Sequence, residues 1–555
     1  MAAGPRAAAT VEEKARQAAP VPVFLHIDMD GFYAQVEMRR LGVAPDVPFV
    51  LSQWGNLIAV NYPAKAYGIG RMDSLASAIQ KCAHVQHCHV PTFANGEREW
   101  RYHPPGNINK NSHKVSLEPY REASRRIFAI LTGYDESITV EKAGIDEAFL
   151  DVSILAARRA AALPLGVLEM HPLEAPEDRS WVYEVNGGTG DARGDDDGLV
   201  LAVFRAAGLI CRDLRRAIRE QLGYNCSAGI ARNHTLAKFI SATNKPNKQS
   251  LLLPKDSAAF LAPIPFQKLR GFGGKFGAEL AQRFSAVTCA DMRSVARSEL
   301  AQVVGSEEAA DGVFATLRGQ SDTKLTERTA PKSLLAQKNF APPVNDTKGM
   351  RRWIDVLCAE LETRMLHLED EFQVRPVNVN VKLSGRGLRG SGELLNKSAP
   401  MPWPPDAQRV GDVVEGVVAS FFRAAAATSP NKMPPMVNCV MLGATVMRPV
   451  GEDFVGKAAR QPGVDELFRR VATKSGPNSS GGDGSGGGGD DDDVVVMSQA
   501  PMTARPIKRG RNTESPRTEA IDVDASQPRP APKRSTSIQL ISSSDDDVEA
   551  SDAPK

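Results

Sequence analysis

Apolar and polar positions alternate with two different periods along this chain, and the switch between them marks its elements. Val377, Val379, Val381 and Leu383 alternate with Asn378, Asn380, Lys382 and Ser384, the pattern of a strand buried on one face and polar on the other. Val437 to Val446 and Tyr224 to Ile230 read as further strands, and Phe24, Leu25 and Ile27 as a strand running through a core. Elsewhere the period is helical. Tyr120, Ala123, Ile127, Ile130 and Leu131 share a face of one helix, and Trp353, Leu357, Leu361 and Met365 of a second. Val410, Val413, Val414, Val417 and Phe421 line a third. A long amphipathic helix spans Val200 to Gln221, and a shorter one Asn233 to Ala242. A helix beginning after Gly31 is ended by Pro45 and Pro48. The expected fold class is α+β.

Composition changes this picture mainly at the edges. The 555 residues are enough for about three or four domains. Residues 171–197 turn polar, with Gly187-Gly188 and Asp195-Asp196-Asp197, and read as a surface insertion. From about residue 450 Gly, Ser, Asp and Pro dominate, so a disordered tail is expected. Residues 1–21 are Ala-rich and read as a disordered lead, with Glu12-Glu13 arguing against a mitochondrial presequence. No apolar run approaches the roughly 20 residues of a membrane span. Seven cysteines without a Cys-x-x-Cys pair suit reduced thiols. The net charge of +2 divides into about −4 from Gly451 onward and about +6 before it, a mildly basic body with an acidic tail.

Candidate chemistry lies where acids interrupt apolar runs. The stretches from His26 to Tyr33 and from Ile145 to Asp151 carry Asp28, Asp30, Asp146, Glu147 and Asp151 with no lysine or arginine among them. An unpaired buried carboxylate is costly, so these acids imply a partner that is not local. A pair of divalent cations answers this, and hard oxygen donors suit Mg²⁺ or Mn²⁺ rather than Zn²⁺. Two such ions about 3.5–4 Å apart serve in-line phosphoryl or nucleotidyl transfer. The plainer alternative is that Asp28 and Asp30 end a strand and cap the helix starting near Phe32. The second acidic strand has no such explanation. Cys82, His84, His87, Cys88 and His89 lack the second half of a zinc site and are expected to be structural. Leu269 to Gly277 fails the P-loop pattern at Leu269 and Phe276. Its glycines suit a helix-hairpin-helix, whose backbone N–H groups around Gly271 and Gly273 would hold DNA phosphate.

The run Ile27-Asp28-Met29-Asp30-Gly31-Phe32-Tyr33-Ala34-Gln35-Val36-Glu37 resembles the first motif of the Y-family translesion DNA polymerases. Ile145-Asp146-Glu147-Ala148-Phe149 resembles the second. Residues 226–251, with Cys-Ser-Ala-Gly-Ile-Ala-Arg-Asn-His-Thr-Leu-Ala-Lys and then Asn-Lys-Pro-Asn-Lys-Gln, resemble the third. Gln53-Trp54, Ile58 to Tyr62, Tyr67 to Met72 and Lys114 to Arg121 are most similar to the eta branch. The similarity runs in order from about residue 22 to 449.

This resemblance implies a right-hand polymerase. The palm would take 22–50 and 89–260, small fingers 51–88, a helical thumb with the helix-hairpin-helix 261–330, and an α+β little finger 331–449; 450–555 would be a regulatory tail. Asp28, Asp146, Glu147 and the Met29 carbonyl would hold two Mg²⁺. Tyr33 would be the steric gate beneath the sugar. Tyr62, Lys65, Arg71 and Lys245 would meet the triphosphate, Lys65 replacing the arginine usual in the eta branch and so losing its bidentate fork. Gln53 and Ile58 would touch the template base and nascent pair. Ala59, Ala64, Ala66, Gly68 and Gly70 would leave a flat, damage-tolerant surface. Lys338, Lys382, Arg386 and Arg389 would lie on DNA phosphates.

The implied activity is DNA-directed DNA synthesis past lesions such as linked pyrimidines, from primer-template DNA and deoxynucleoside triphosphates, in the nucleus and away from membranes. The alternatives are another Y-family branch, or a catalytically retired scaffold that recruits repair factors. In the tail, Gln461 to Phe468 resembles a sliding-clamp-interacting box, Val494 to Met497 and Ile538 to Ile541 resemble SUMO-interacting strands, and Arg505 to Arg511 resembles a nuclear import signal. No cysteine or histidine follows residue 450, so the zinc-bound ubiquitin-binding finger of many eta relatives is not expected there.

Overall fold

The first apolar run becomes β1 (Phe24–Met29), buried along its whole length. In this computed structural model, which describes residues 21–162, 180–183, 195–320, 324–325, 330–386, 394–428 and 435–450, β1 is the strand on which two cores meet. Gly31 turns the chain at φ 59° into α1 (Phe32–Leu41). That helix stops before Pro45: Gly42, at φ 68°, returns its N–H to the Met38 and Arg39 carbonyls. A small sheet follows in the order β3-β2-β4, from β2 (Phe49–Gln53), β3 (Asn56–Val60) and β4 (Gln86–His89). With α2 (Tyr62–Ala66) and α3 (Leu75–Lys81) it closes on a core of Val50, Leu57, Val60, Ile69 and Val85.

The chain then runs through a short pair, β5 (Thr92–Ala94) and β6 (His113–Val115), into α4 (Glu118–Thr132), β7 (Thr139–Lys142), β8 (Glu147–Asp151) and α5 (Ser153–Ala162). It continues with β9 (Ser180–Tyr183), α6 (Asp195–Leu222), β10 (Cys226–Ala231), α7 (His234–Ser241) and β11 (Gln249–Leu252). Six of these strands form one sheet in the order β7-β8-β1-β10-β11-β9. The segment read as a polar surface insertion therefore supplies its sixth strand, β9, parallel to β11. Backbone pairing to a distant strand leaves no mark on local composition.

Period two divides β1. Leu25, Ile27 and Met29 enter a core with Tyr120, Ile127 and Leu131 of α4 and Phe204, Ile210 and Leu214 of α6. Phe24 joins Leu236 and Ile240 of α7 in a second core. That core extends into a helical group, α8 (Ser257–Leu261), α9 (Gly274–Phe284), α10 (Cys289–Arg293), α11 (Arg297–Val304) and α12 (Glu307–Leu317), through Leu280, Met292, Leu300 and Phe314.

The remaining elements are β12 (Ser333–Val344), α13 (Thr347–Phe372), β13 (Val374–Arg386), β14 (Leu394–Pro400), α14 (Ala407–Thr428) and β15 (Met436–Pro449). They form an antiparallel sheet ordered β12-β15-β13-β14, with Val379, Val381 and Leu383 buried under α13 and α14. This layer docks on the chain leading into α4. Glu360 of α13 pairs there with Lys114, and Arg121 lies 3.5 Å away. Burial works to raise the Glu360 pKa, but Lys114, Arg121 and Arg364 hold it below the usual carboxylate range.

Lys338 was expected on DNA phosphate, and the structure turns it inward. On β12 it shares a face with buried Leu334, Ala336 and Phe340, and it is itself 5% exposed. Its ammonium donates to the Lys110 carbonyl and, at 2.8 Å, to that of His113, with the Trp353 ring centroid 4.2 Å away. Burial, with Lys114 nearby, lowers its pKa to about 8. Lys338→Met should thus destabilise the protein by about 1–3 kcal/mol, since two inward carbonyls lose their donor. Urea unfolding checks this, and unchanged primer-template affinity in the same variant is the companion result.

Candidate active site

β8 and β10 flank β1 so that Asp28 lies directly across from Glu147 on one side and Ser227 on the other. Like charges facing each other across a sheet are unfavourable unless something neutralises them. Two lysines do so here, and a histidine hydrogen-bonds to the same pair. Lys245 places Nζ 2.7 Å from Asp28 Oδ1. Lys238 of α7 donates to both Glu147 oxygens at 3.0 and 2.9 Å. Buried His26, on the same face of β1 as Asp28, places Nε2 2.9 Å from Glu147 Oε2 and Nδ1 2.9 Å from Ser241 Oγ. Burial alone would raise the Glu147 pKa; the His26 contact and Lys238 outweigh it and bring it to about 2.

α7 can carry Lys238 and Ser241 to this spot because β10 has a glycine beneath it. A Cβ on Gly229 would stand 2.0 Å from the Ala237 carbonyl oxygen and 2.6 Å from the Ser241 nitrogen. Asn233 starts the helix by accepting the Leu236 N–H at 2.9 Å.

Asp30 does not cap α1. The N-cap of that helix is Gly31, with no side-chain hydrogen bond, which removes the plainer reading of the first acidic stretch. Its carboxylate instead accepts the Ser227 hydroxyl at 2.8 and 3.0 Å and the Asn247 N–H at 2.7 Å. Burial pushes its pKa up to about 6, against the pull of Lys245, Ser227 and Asn247.

Asp146 stands just before β8, half-buried, and its carbonyl accepts the Met29 N–H at 2.9 Å. The Met29 side chain faces the opposite core. Among the described residues the three ligating side chains within 4.8 Å of one another are His26, Asp28 and Glu147. Asp146, expected among the ligands, is not in that group; the carboxylates of Asp28 and Glu147 supply hard oxygen donors that fit a divalent cation. His26 and Lys238 escaped the sequence reading. His26 had a signal, its place two residues before Asp28; Lys238 reaches Glu147 only through the fold.

Tyr33 is half-buried and stacks on Tyr120, ring centroids 4.2 Å apart at 18°. Tyr120 donates to Glu37 Oε1 at 2.7 Å, as does Tyr102 at 2.9 Å, while Arg40 donates to Oε2 at 2.7 Å. Tyr62 begins α2, and the Lys65 ammonium lies 4.4 Å from its ring centroid. Burial raises the Tyr62 pKa, as do Asp30 and Asp28. Burial lowers that of Lys65, which also feels Lys245, Asp30, Asp28 and Arg71. These groups therefore share one electrostatic neighbourhood with the acids.

The other expected site residues lie further out. Gln53 ends β2, and Ile58, on β3, packs half-buried against the central core. Gly271 has φ 92° and Gly273 is the N-cap of α9. A single 3₁₀ turn, Phe266–Lys268, precedes them where a first helix was expected. Lys382 alternates with buried Val381 and Leu383, on the sheet face away from the helices. The Arg386 side chain, Arg389 and the tail motifs at 461–468, 494–497, 505–511 and 538–541 lie outside the described residues.

Comparison with known proteins gives the same direction. Residues 27–242 match the impB/mucB/samB family and 331–427 match the impB/mucB/samB family C-terminal domain. The chain is 33% identical over 397 residues to N-acetyltransferase eso1 of Schizosaccharomyces pombe, covering 68% of this chain and 44% of that protein. It is 29% identical over 445 residues to DNA polymerase eta of Saccharomyces cerevisiae, covering 68% and 69%. With DNA polymerase IV of Pectobacterium atrosepticum it shares 26% identity over 362 residues, 64% of this chain and 82% of the relative. The chain thus spans less than half of the first of these proteins.

Gly229→Ala should push α7 off the sheet and lower stability by about 1–3 kcal/mol, the range for overpacking. A urea titration measures the loss; full stability would mean that α7 has room the structure does not show.

Proposed function

The chain belongs to the impB/mucB/samB family, the Y family of DNA polymerases, and from that premise we propose that it is a DNA-directed DNA polymerase of eta type that copies damaged templates. The observation that carries this reading is the cross-strand pair Asp28 and Glu147 with Lys245 in reach of it. Asp28 and Glu147, with Asp146 and the Met29 carbonyl, would hold two divalent cations, Mg²⁺ or Mn²⁺. When bound, such cations activate the primer 3′-hydroxyl and neutralise the leaving pyrophosphate. Tyr62, Lys65, Arg71 and Lys245 supply the positive and hydroxyl contacts for the triphosphate, and Lys245 exchanges Asp28 for a phosphate oxygen.

Tyr33 lies under the deoxyribose, and its stacking on Tyr120 makes that surface rigid. Ala66, Gly68 and Gly70, exposed at and after α2, leave Gln53 and Ile58 a flat surface on which a distorted template pair fits, whereas Ala59 and Ala64, expected to share it, are buried in apolar cores. The Gly271–Gly273 turn and the polar sheet face carrying Lys382 hold the duplex through its phosphates, and Arg386 and Arg389 are proposed as further phosphate contacts. In this reading the central sheet is the palm, the small sheet the fingers, α8–α12 the thumb, and the β12–β15 layer the little finger. Nuclear import and recruitment to clamp or SUMO-modified partners belong to the tail motifs.

Asp28→Asn should lower nucleotide addition about 10³-fold, because a carboxylate placed where charge develops is lost. Primer-template affinity should stay within about threefold, since phosphate contacts elsewhere hold DNA. Extension at the original rate would sink the assignment. Tyr33→Ala tests the sugar gate: discrimination against ribonucleotides should fall about tenfold or more, equivalent to about 1.4 kcal/mol of relieved clash. Deoxynucleotide insertion should suffer less. A lowered melting temperature with equal loss of both activities would make Tyr33 a packing residue instead.

A further inference from the structure

Lys245 approaches Asp28 from a loop, and the residue that fixes this loop is Asn247. Asn247 sits at φ 53°, a left-handed conformation that asparagine tolerates better than most residues. Both of its hydrogen-bonding ends are taken. Its N–H donates to Asp30 Oδ2 at 2.7 Å, and its Oδ1 accepts from Arg215 Nη2 at 3.1 Å.

Arg215 reaches the loop from α6 on the far side of the sheet and is 6% exposed. It also donates from Nε to the Cys226 carbonyl and from Nη1 to Gln249 Oε1, each at 3.2 Å. Asp30 is anchored in turn by the Ser227 hydroxyl on β10. The loop backbone closes on the same strand, where the Ala228 N–H donates to the Lys248 carbonyl at 2.9 Å. A buried cation and a buried anion thus grip one asparagine from opposite sides, two residues from the lysine. Apolar packing would close a loop without burying either charge. Charged grips at fixed hydrogen-bond lengths set its position instead.

We infer that Asp30, Asn247 and Arg215 are positioning residues for Lys245, a relay that sets where its ammonium stands over the metal-bearing carboxylates and hence how tightly the incoming triphosphate is held. The inference rests on the assignment of Lys245 to the triphosphate.

Single-nucleotide insertion on undamaged primer-template, with kcat and KM measured separately alongside melting temperature, tests it in the full chain. Lys245→Met should raise the nucleotide KM about tenfold or more, the loss of a charged hydrogen bond. Asn247→Gly keeps the left-handed backbone and the N–H to Asp30 but loses the Arg215 acceptor; its KM should rise about tenfold with kcat altered less than about threefold. Asn247→Asp keeps the acceptor and should restore KM to near the original. Lys245→Met combined with Asn247→Gly should be no worse than Lys245→Met alone. An unchanged KM in Lys245→Met overturns the triphosphate assignment itself. A raised KM there with Asn247→Gly unaffected, or additive effects in the double variant, overturns the relay and leaves the assignment standing. Loss of melting temperature and kcat at constant KM in Asn247→Gly marks the network as merely structural and overturns it as well.

Discussion

Two carboxylates placed opposite each other on adjacent strands are the constraint on which the rest of this structure depends. At an effective dielectric of about 20, like unit charges about 5 Å apart repel by about 3 kcal/mol. A sheet that holds Asp28 across from Glu147 must therefore bring cations to them from elsewhere in the chain. Lys238 comes on α7 and Lys245 on the loop that follows it. Gly229 is required so that α7 can lie close enough for the first. Asn247 holds the loop for the second. Removing the acids would leave this architecture of glycine, helix and loop without a purpose.

The same strand separates two of the molecule's cores. Leu25, Ile27 and Met29 are sealed beneath α4 and α6, while Phe24 packs with α7 and the helices beyond it. Asp28 emerges on the second face just where that packing ends. A strand buried on both sides is stiff, and stiffness is what the proposed pair of metal-holding oxygens would require. The β12–β15 layer is joined to this frame by charge as well as by apolar packing, since Phe93 and Trp100 enter its core. Glu360 gathers Lys114, Arg121 and Arg364, and Lys338 fastens to backbone carbonyls of the 110–113 segment. Removing one partner of so buried a group leaves the others uncompensated, so such a joint resists sliding.

How far the sequence reveals this depends on whether a signal is local. The acidic strands, the inward faces of α4, α13 and α14, and the half-buried β13 all follow from period alone, and the structure has them. Lys338 was misplaced although its own alternation with Leu334, Ala336 and Phe340 pointed inward; a basic residue was read by its charge where its parity decided. Lys382, of opposite parity to Val381 and Leu383, does lie on the polar face. β9 and the Lys238 partner of Glu147 had no local signature, because each is completed by chain more than 60 residues away in sequence. The plainer alternative for Asp30, a helix cap, fails because Ser227 and Asn247, from the 226–251 segment, claim its carboxylate.

The surroundings of Tyr33 and of β3 differ in a way that bears on what such a site can discriminate. Behind Tyr33 stands Tyr120, behind Tyr120 the buried Glu37, and on Glu37 converge Tyr102 and Arg40. An aromatic ring backed by a ring and a charged hydrogen-bond network cannot retreat without breaking several contacts together. Ala66, Gly68 and Gly70 are exposed and present no side chain long enough to press on a neighbour. One surface resists deformation and the other makes no demand. A clash with an added hydroxyl is felt only where the wall is rigid, and a misshapen base pair is rejected only where a wall exists. On the proposed reading, strict choice of sugar and loose choice of template therefore come from the same physical cause, the presence or absence of a supported side chain.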